Sequence, residues 1–230
     1  MIDKLIPSKI IRRCVILIMV FFVFGCKSKV VSPEKTAESY HFKRVAIVPF
    51  QNMTEKYGEK VTIRGGISGR FYTTDKVAEG ADYLLTGRMT TYIQGRKNLE
   101  LIPVSQTEGA FSGVLSKEGG KELSELEMIV RVGQELGAEA VVVGKIYRFI
   151  DRDGTDYSVR SSASVAFDVF LIRVEDGRVI WSGRFDESQR SLTENLFDIG
   201  TFMKRRGRWV TAEEMAIDGL NDLLETFPAQ

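Results

Sequence analysis

Val45-Ala-Ile-Val48 is apolar at four successive positions, so a strand built from it must bury both faces. That suits a central strand covered on two sides better than a half-exposed one, and it directs the chain toward helices packed on a sheet. The segment 138–150, AEAVVVGKIYRFI, supplies another strand, dense in β-branched residues at its start. Between and after them the pattern alternates in type. A helical three-and-four spacing begins at Glu79 (Ala81, Leu84, Leu85, Arg88, Met89, Tyr92) and stops at Gly95. LELIPV (99–104) reads as a short strand, and Ser105–Glu108 offers a cap for a short helix. Ser124–Glu127 is a capping box opening a helix that Gly137 ends. Residues 55–76 hold four glycines and no clear period, and read as a long loop.

Strict alternation returns at 157–174. Val159, Ser161, Ala163, Val165, Phe167, Val169 and Leu171 lie on one face; Ser162, Ser164, Ala166 and Asp168 lie on the other. Glu175-Asp-Gly-Arg178 supplies an Asp-Gly turn, after which VIWSGRFDESQ runs back. In this pairing Trp181 packs toward Val174 or Ile172. Capping boxes at Ser191–Glu194 and Thr211–Glu214 open two further helices, the second burying Met215, Gly219, Leu220, Leu223, Leu224 and Phe227. The order β-α-β-α-β-β-β-α-α gives an α/β fold class: a single domain, 43–230, with a mixed, partly antiparallel β-sheet packed by helices.

The amino-terminal end sets the compartment. Residues 14–25 form a twelve-residue apolar run behind Lys4, Lys9, Arg12 and Arg13, too short for a bilayer span and suited to a signal core. It ends in Val23-Phe-Gly-Cys26, which resembles the lipobox of bacterial lipoproteins. That resemblance implies cleavage before Cys26 and lipid attachment to it: residues 1–25 are the signal peptide, and 26–42 are the lipidated cysteine and a polar tether. Lys27 and Ser28 resemble the residues of lipoproteins sorted to the outer membrane, with the domain facing the periplasm. The mature chain then carries 28 basic and 30 acidic side chains, a mixed balance that argues against nucleic acid as a partner. Cys14 leaves with the signal and Cys26 is used by lipid, so stability rests on burial rather than disulfides.

Three segments in order then carry a wider resemblance. RVAIVPFQNMT (44–54) matches a first-strand pattern at Val45, Ala46, Val48, Pro49, Phe50, Asn52 and Thr54. The helix-to-strand junction in GQELGAEAVVVGKIYRF matches at Leu136, Gly137, Ala138, Val141 or Val142, and Gly144. A returning strand matches at Gly177, Val179, Trp181 and Ser182. Together they resemble a group of bacterial envelope proteins including the curli secretion protein CsgG, the penicillin-binding-protein activator LpoB and the amino-terminal domain of TolB. The resemblance implies an α/β fold of the CsgG and TolB-N kind, and work in envelope assembly or interaction. These positions also have scaffold roles: Asn52 and Thr54 fix the end of a strand, Gly137 ends a helix and Gly144 permits a close approach.

No catalytic constellation is visible, and no metal or cofactor is expected. The only histidine, His41, lies in the tether. Ser32-Pro-Glu-Lys35 has a nucleophile-like spacing in the wrong setting, Gly65-Gly66-x-x-Gly69 lacks the lysine of a phosphate loop, and Asp151–Asp156 lacks the closing acid of a calcium loop. Lys204, Arg205, Arg206 and Arg208 beside Trp209 form a candidate partner-binding stretch for an acidic surface or lipid headgroup. The reading is a non-enzymatic, membrane-anchored interaction or assembly module with an envelope protein partner. The alternative is a subunit of an oligomeric CsgG-like secretion channel, a homo-oligomer with residues 157–190 as barrel strands.

Overall fold

The computed structural model describes residues 42–117, 123–155, 159–189 and 209–228. Five strands form one mixed sheet in the order β4-β1-β5-β8-β9. β1 (Arg44–Asn52) runs parallel to β4 (Glu100–Leu101) on one side and to β5 (Ala140–Ile150) on the other. β8 (Ser164–Arg173) and β9 (Val179–Ser188) continue the sheet antiparallel. The α/β class with a mixed sheet is the one the element order implies.

Both faces are covered, as the unbroken apolar runs require. On one face α2 (Ala81–Gln94) and α5 (Ala212–Leu224) pack Leu85, Met89, Met215 and Leu220 against Val45, Ile47, Val142, Phe167 and Leu171. On the other, α4 (Glu125–Leu136) packs Ile129 against Ala46, Val48, Val141, Val143, Phe170 and Ile172, with α3 (Val104–Lys117) docked on α4. Reciprocal capping boxes close the starts of α4 at Ser124 and of α5 at Thr211, as expected. Gly137 ends α4 at φ +62°, a conformation that favours glycine.

Several expectations change. β1 continues through Pro49 to Asn52, because a register shift between Val48 and Gln51 accommodates the missing amide proton. The Phe50 N–H donates to Thr86 Oγ1 of α2 at 2.9 Å. The strand expected at 99–104 shrinks to two residues, and fourteen residues from Val104 form a full helix. Arg88, counted in the α2 stripe, is exposed. Trp181 pairs with Leu171, stacks edge-on against Phe227 at 5.0 Å and belongs to the α2–α5 face, so Val174 and Ile172 lie across the sheet from it. The turn before β9 spans four residues, 174–177, closed by the Arg173 N–H donating to the Arg178 carbonyl at 2.9 Å.

The largest change concerns residues 55–76. They hold the end of α1 (Met53–Tyr57) and an antiparallel hairpin, β2 (Thr62–Arg64) with β3 (Phe71–Thr73). Each strand has three residues and turns one side chain inward, Ile63 and Tyr72, which is too little to register as a period. The chain after β3 then lies along the distal half of β5. Asp75 N–H donates to the Tyr147 carbonyl and Ala78 N–H to that of Phe149, both at 2.9 Å. The two-stranded pair β6 (Asp153–Gly154) and β7 (Val159–Ser161) follows β5, so the long alternating segment first pairs in this separate ribbon and joins the main sheet only at Ser164.

Candidate functional site

Three charged residues stand side by side across the interior of the sheet: Lys145 of β5 opposite Asp168 of β8, and Asp168 opposite Arg184 of β9. Gln51 of β1 extends the row beyond Lys145. Each sits on a strand otherwise rich in apolar residues, and the pleat turns all of them to the α4 face. There they meet the gap between the start of α4 and the β2–β3 hairpin.

Lys145 is 1% exposed, and its Nζ donates to Glu125 Oε2 at 2.5 Å. Glu125 is the first residue of α4, where the helix dipole favours a carboxylate. The hairpin tip passes directly over this pair. A Cβ built on Gly66 would stand 2.6 Å from Glu125 Oε2, so a side chain there would have to displace the carboxylate that holds Lys145.

Tyr72 closes the row from the hairpin side. Its ring lies flat on that of Tyr147, with centroids 3.9 Å apart and planes at 1°. Arg184 sets its guanidinium 5.0 Å from the Tyr72 centroid on the same cluster and pairs with Asp186 at 2.7 Å. Asp186 is also held by Arg148 at 2.8 Å. The Tyr72 hydroxyl is 3.1 Å from Ser68 Oγ in the tip.

Asp168 is the least satisfied member. It is 2% exposed; Tyr147 donates to its Oδ2 across a long 3.4 Å, and its Oδ1 has no hydrogen-bond partner. Burial pushes the carboxyl up to about 6, against the opposing pull of the Tyr72 hydroxyl, Arg184, Tyr147 and Arg70. Burial, then Asp168, pushes the Tyr72 hydroxyl up to about 12, and burial raises Tyr147 as well. The cluster therefore shifts Asp168 toward its protonated form relative to an ordinary carboxyl, beside two tyrosines that keep their protons.

Two open grooves flank α1 beside this cluster. One, of about 670 Å³, lies among Asn52, Glu55, Lys56, Phe111, Glu125 and Met128. The other, of about 630 Å³, includes Asn52, Thr54, Glu59, Lys76 and Asp151. Asn52 forms the wall between them; its Oδ1 accepts from the Thr54 N–H at 3.0 Å, and Thr54 Oγ1 donates to the Asp75 carbonyl at 2.6 Å. Among the described residues no group of three His, Cys, Asp or Glu side chains is placed to hold a metal ion. Asp151, read as part of a turn, accepts from the Ala212 N–H at 3.0 Å and so braces the start of α5.

Of the residues singled out from the sequence, Cys26, Lys204, Arg205, Arg206 and Arg208 lie outside the described residues, as does the capping box at Ser191. Trp209 is half-buried rather than exposed, and its carbonyl accepts from Arg152 Nη1 at 2.6 Å. The clustered polar residues were not singled out. Their signal was present, since Lys145 and Asp168 each interrupt an apolar strand, but alternation placed Asp168 only on the face opposite Phe167 and Val169 and did not show that the hairpin covers it.

No family model and no curated protein matches this sequence. Solved structures do show a likeness. The PelC dodecamer from Paraburkholderia phytofirmans is 13% identical, with 86% of this chain and 98% of that one covered at a TM-score of 0.47. The lipoprotein GNA1162 from Neisseria meningitidis is 11% identical, covering 80% and 98% at 0.40. The LpoB carboxy-terminal domain from Escherichia coli is 15% identical, covering 74% and 93% at 0.38.

Proposed function

We propose that the chain is a non-catalytic lipoprotein, anchored through lipid on Cys26 to the periplasmic face of the outer membrane, whose α/β domain engages an envelope protein. One contrast carries the reading. The polar side chains that the fold gathers are paired or covered by Tyr72, whereas aromatic side chains stand out from the surface: Phe71 of β3 is 69% exposed and Tyr83 of α2 is 80% exposed. A sheltered polar interior with aromatic residues presented outward suits recognition of a partner surface better than turnover of a substrate.

The hairpin also lies at the far end of the sheet from Phe42. Phe42 leads into β1 at Arg44, while Tyr147, under the hairpin, lies one residue beyond the partner of the last β1 residue. Phe71 is therefore displayed at the end of the sheet opposite the start of β1. The secretion-channel alternative needs residues 157–190 as membrane strands. The described part of that segment supports the tethered module instead, because β8 buries Val165, Phe167, Val169 and Leu171 on one face and Phe170 and Ile172 on the other.

Expression of the full-length chain in a two-membrane bacterium with labelled palmitate tests the anchor. Label is expected in outer-membrane fractions and lost in Cys26→Ala. Native mass in mild detergent then separates the two functions: a monomer or dimer fits the tethered module, and a ring many times the monomer mass would overturn it.

A further inference from the structure

We propose that the β2–β3 hairpin is a proton-linked latch, closed over Asp168 when that side chain carries a proton and loosened when it ionises. The geometry comes first. A hairpin with three residues per strand is not stable by itself and depends on what it packs against. Here the attachment is limited: Ile63 and Tyr72 of the strands face inward with Met53, Tyr147 and Ala166, and half-buried Ile67 of the tip packs against the cluster that includes Ile129, while Phe71 points out. Directly beneath Tyr72 lies a carboxylate with one oxygen unpartnered and the other held at 3.4 Å. Such a group is costly to bury as an anion and much less so as an acid.

The charged and titratable neighbours come from every element around it. Tyr72 reaches it from β3 and Arg70 from the hairpin tip; Tyr147 and Lys145 belong to β5, Arg184 to β9, and Glu125 to the start of α4. Lys145 is paired with Glu125 and Arg184 with Asp186, so neither forms an ion pair with Asp168, although the Arg184 charge still pulls its carboxyl down. The raised titration point of the buried carboxyl agrees with this arrangement. Lifting the hairpin wets Asp168 and returns it to an ordinary carboxylate. The closed form thus binds a proton that the open form releases. Between about pH 4 and pH 6, raising the pH favours opening, by up to about 100-fold if Asp168 becomes fully solvated.

Hydrogen exchange on the full-length protein in detergent micelles, corrected for intrinsic rates, tests the latch across pH 4.5–7. Amides of residues 62–73 are expected to lose protection as pH rises, relative to those of β5. Asp168→Asn, which cannot ionise, is expected to flatten that response. A flat response in the wild type, or an unchanged slope in Asp168→Asn, overturns the proposal. Should that variant fail to fold, the carboxyl carbon resonance of Asp168 in the wild type decides. A midpoint near 6 that moves up in Tyr72→Phe supports the latch, and an ordinary midpoint near 4 overturns it.

Discussion

Tyr72 and Tyr147 lie ring on ring, 3.9 Å apart and parallel within 1°, although one belongs to a three-residue hairpin strand and the other to the longest strand of the sheet. This stack joins the hairpin to the domain and covers a charged row that crosses three strands.

Adjacent residues of β3 should therefore respond very differently to truncation. Tyr72→Ala removes a buried aromatic side chain and uncovers Asp168, with an expected cost of about 3–5 kcal/mol in urea unfolding. Phe71→Ala, on the exposed side of the same strand, should stay within about 0.5 kcal/mol. Equal losses would show that the hairpin does not attach through its inner face.

The Lys145–Glu125 pair should behave asymmetrically. Glu125→Ala leaves a buried ammonium without its carboxylate and is expected to cost about 3–5 kcal/mol. Lys145→Met leaves behind only a carboxylate whose side chain is 30% exposed, so its cost should be smaller. The double variant Lys145→Met/Glu125→Ala should recover much of the loss, which a denaturation cycle reads directly.

Gly144 stands opposite the Phe50 ring, and a Cβ there would approach it to 2.3 Å. Gly144→Ala should destabilise by about 1–3 kcal/mol through overpacking at the β1–β5 pairing. Adding Phe50→Leu should restore part of that stability, because the clash is with the ring. No recovery would locate the strain in the backbone instead.

Two aspartates should pull stability in opposite directions with pH. Asp168 has a folded-state pKa above the ordinary carboxylate value. Its native form binds the extra proton, and stability falls as pH rises from about 4 to about 6, by on the order of 3 kcal/mol. Asp176 lies in the turn before β9, where Arg173 above all and then the Arg178 amide hold it down at about 2. Its contribution is complete above the unfolded value and disappears as pH falls toward 2. Unfolding midpoints measured from pH 2 to 7 should show Asp168→Asn removing the upper slope and Asp176→Asn the lower one.

The sequence by itself determined the strands and helices whose signals are local and repeated. Val45–Val48 and Val141–Val143 could only be buried on both faces, and the reciprocal caps at Ser124 and Thr211 fixed two helix starts within a few residues of chain. Gly144 and Asn52 were legible for a similar reason, since the demands placed on them arise at one step of the backbone. Tertiary structure alone decided the candidate site. Tyr72 reaches Tyr147 across 75 positions and Glu125 reaches Lys145 across 20, so no periodicity links them. The hairpin strands turn only two side chains inward, below what alternation can reveal. Asp168 sits on the strand face opposite Phe167 and Val169, and it becomes buried there because a separate segment folds over it.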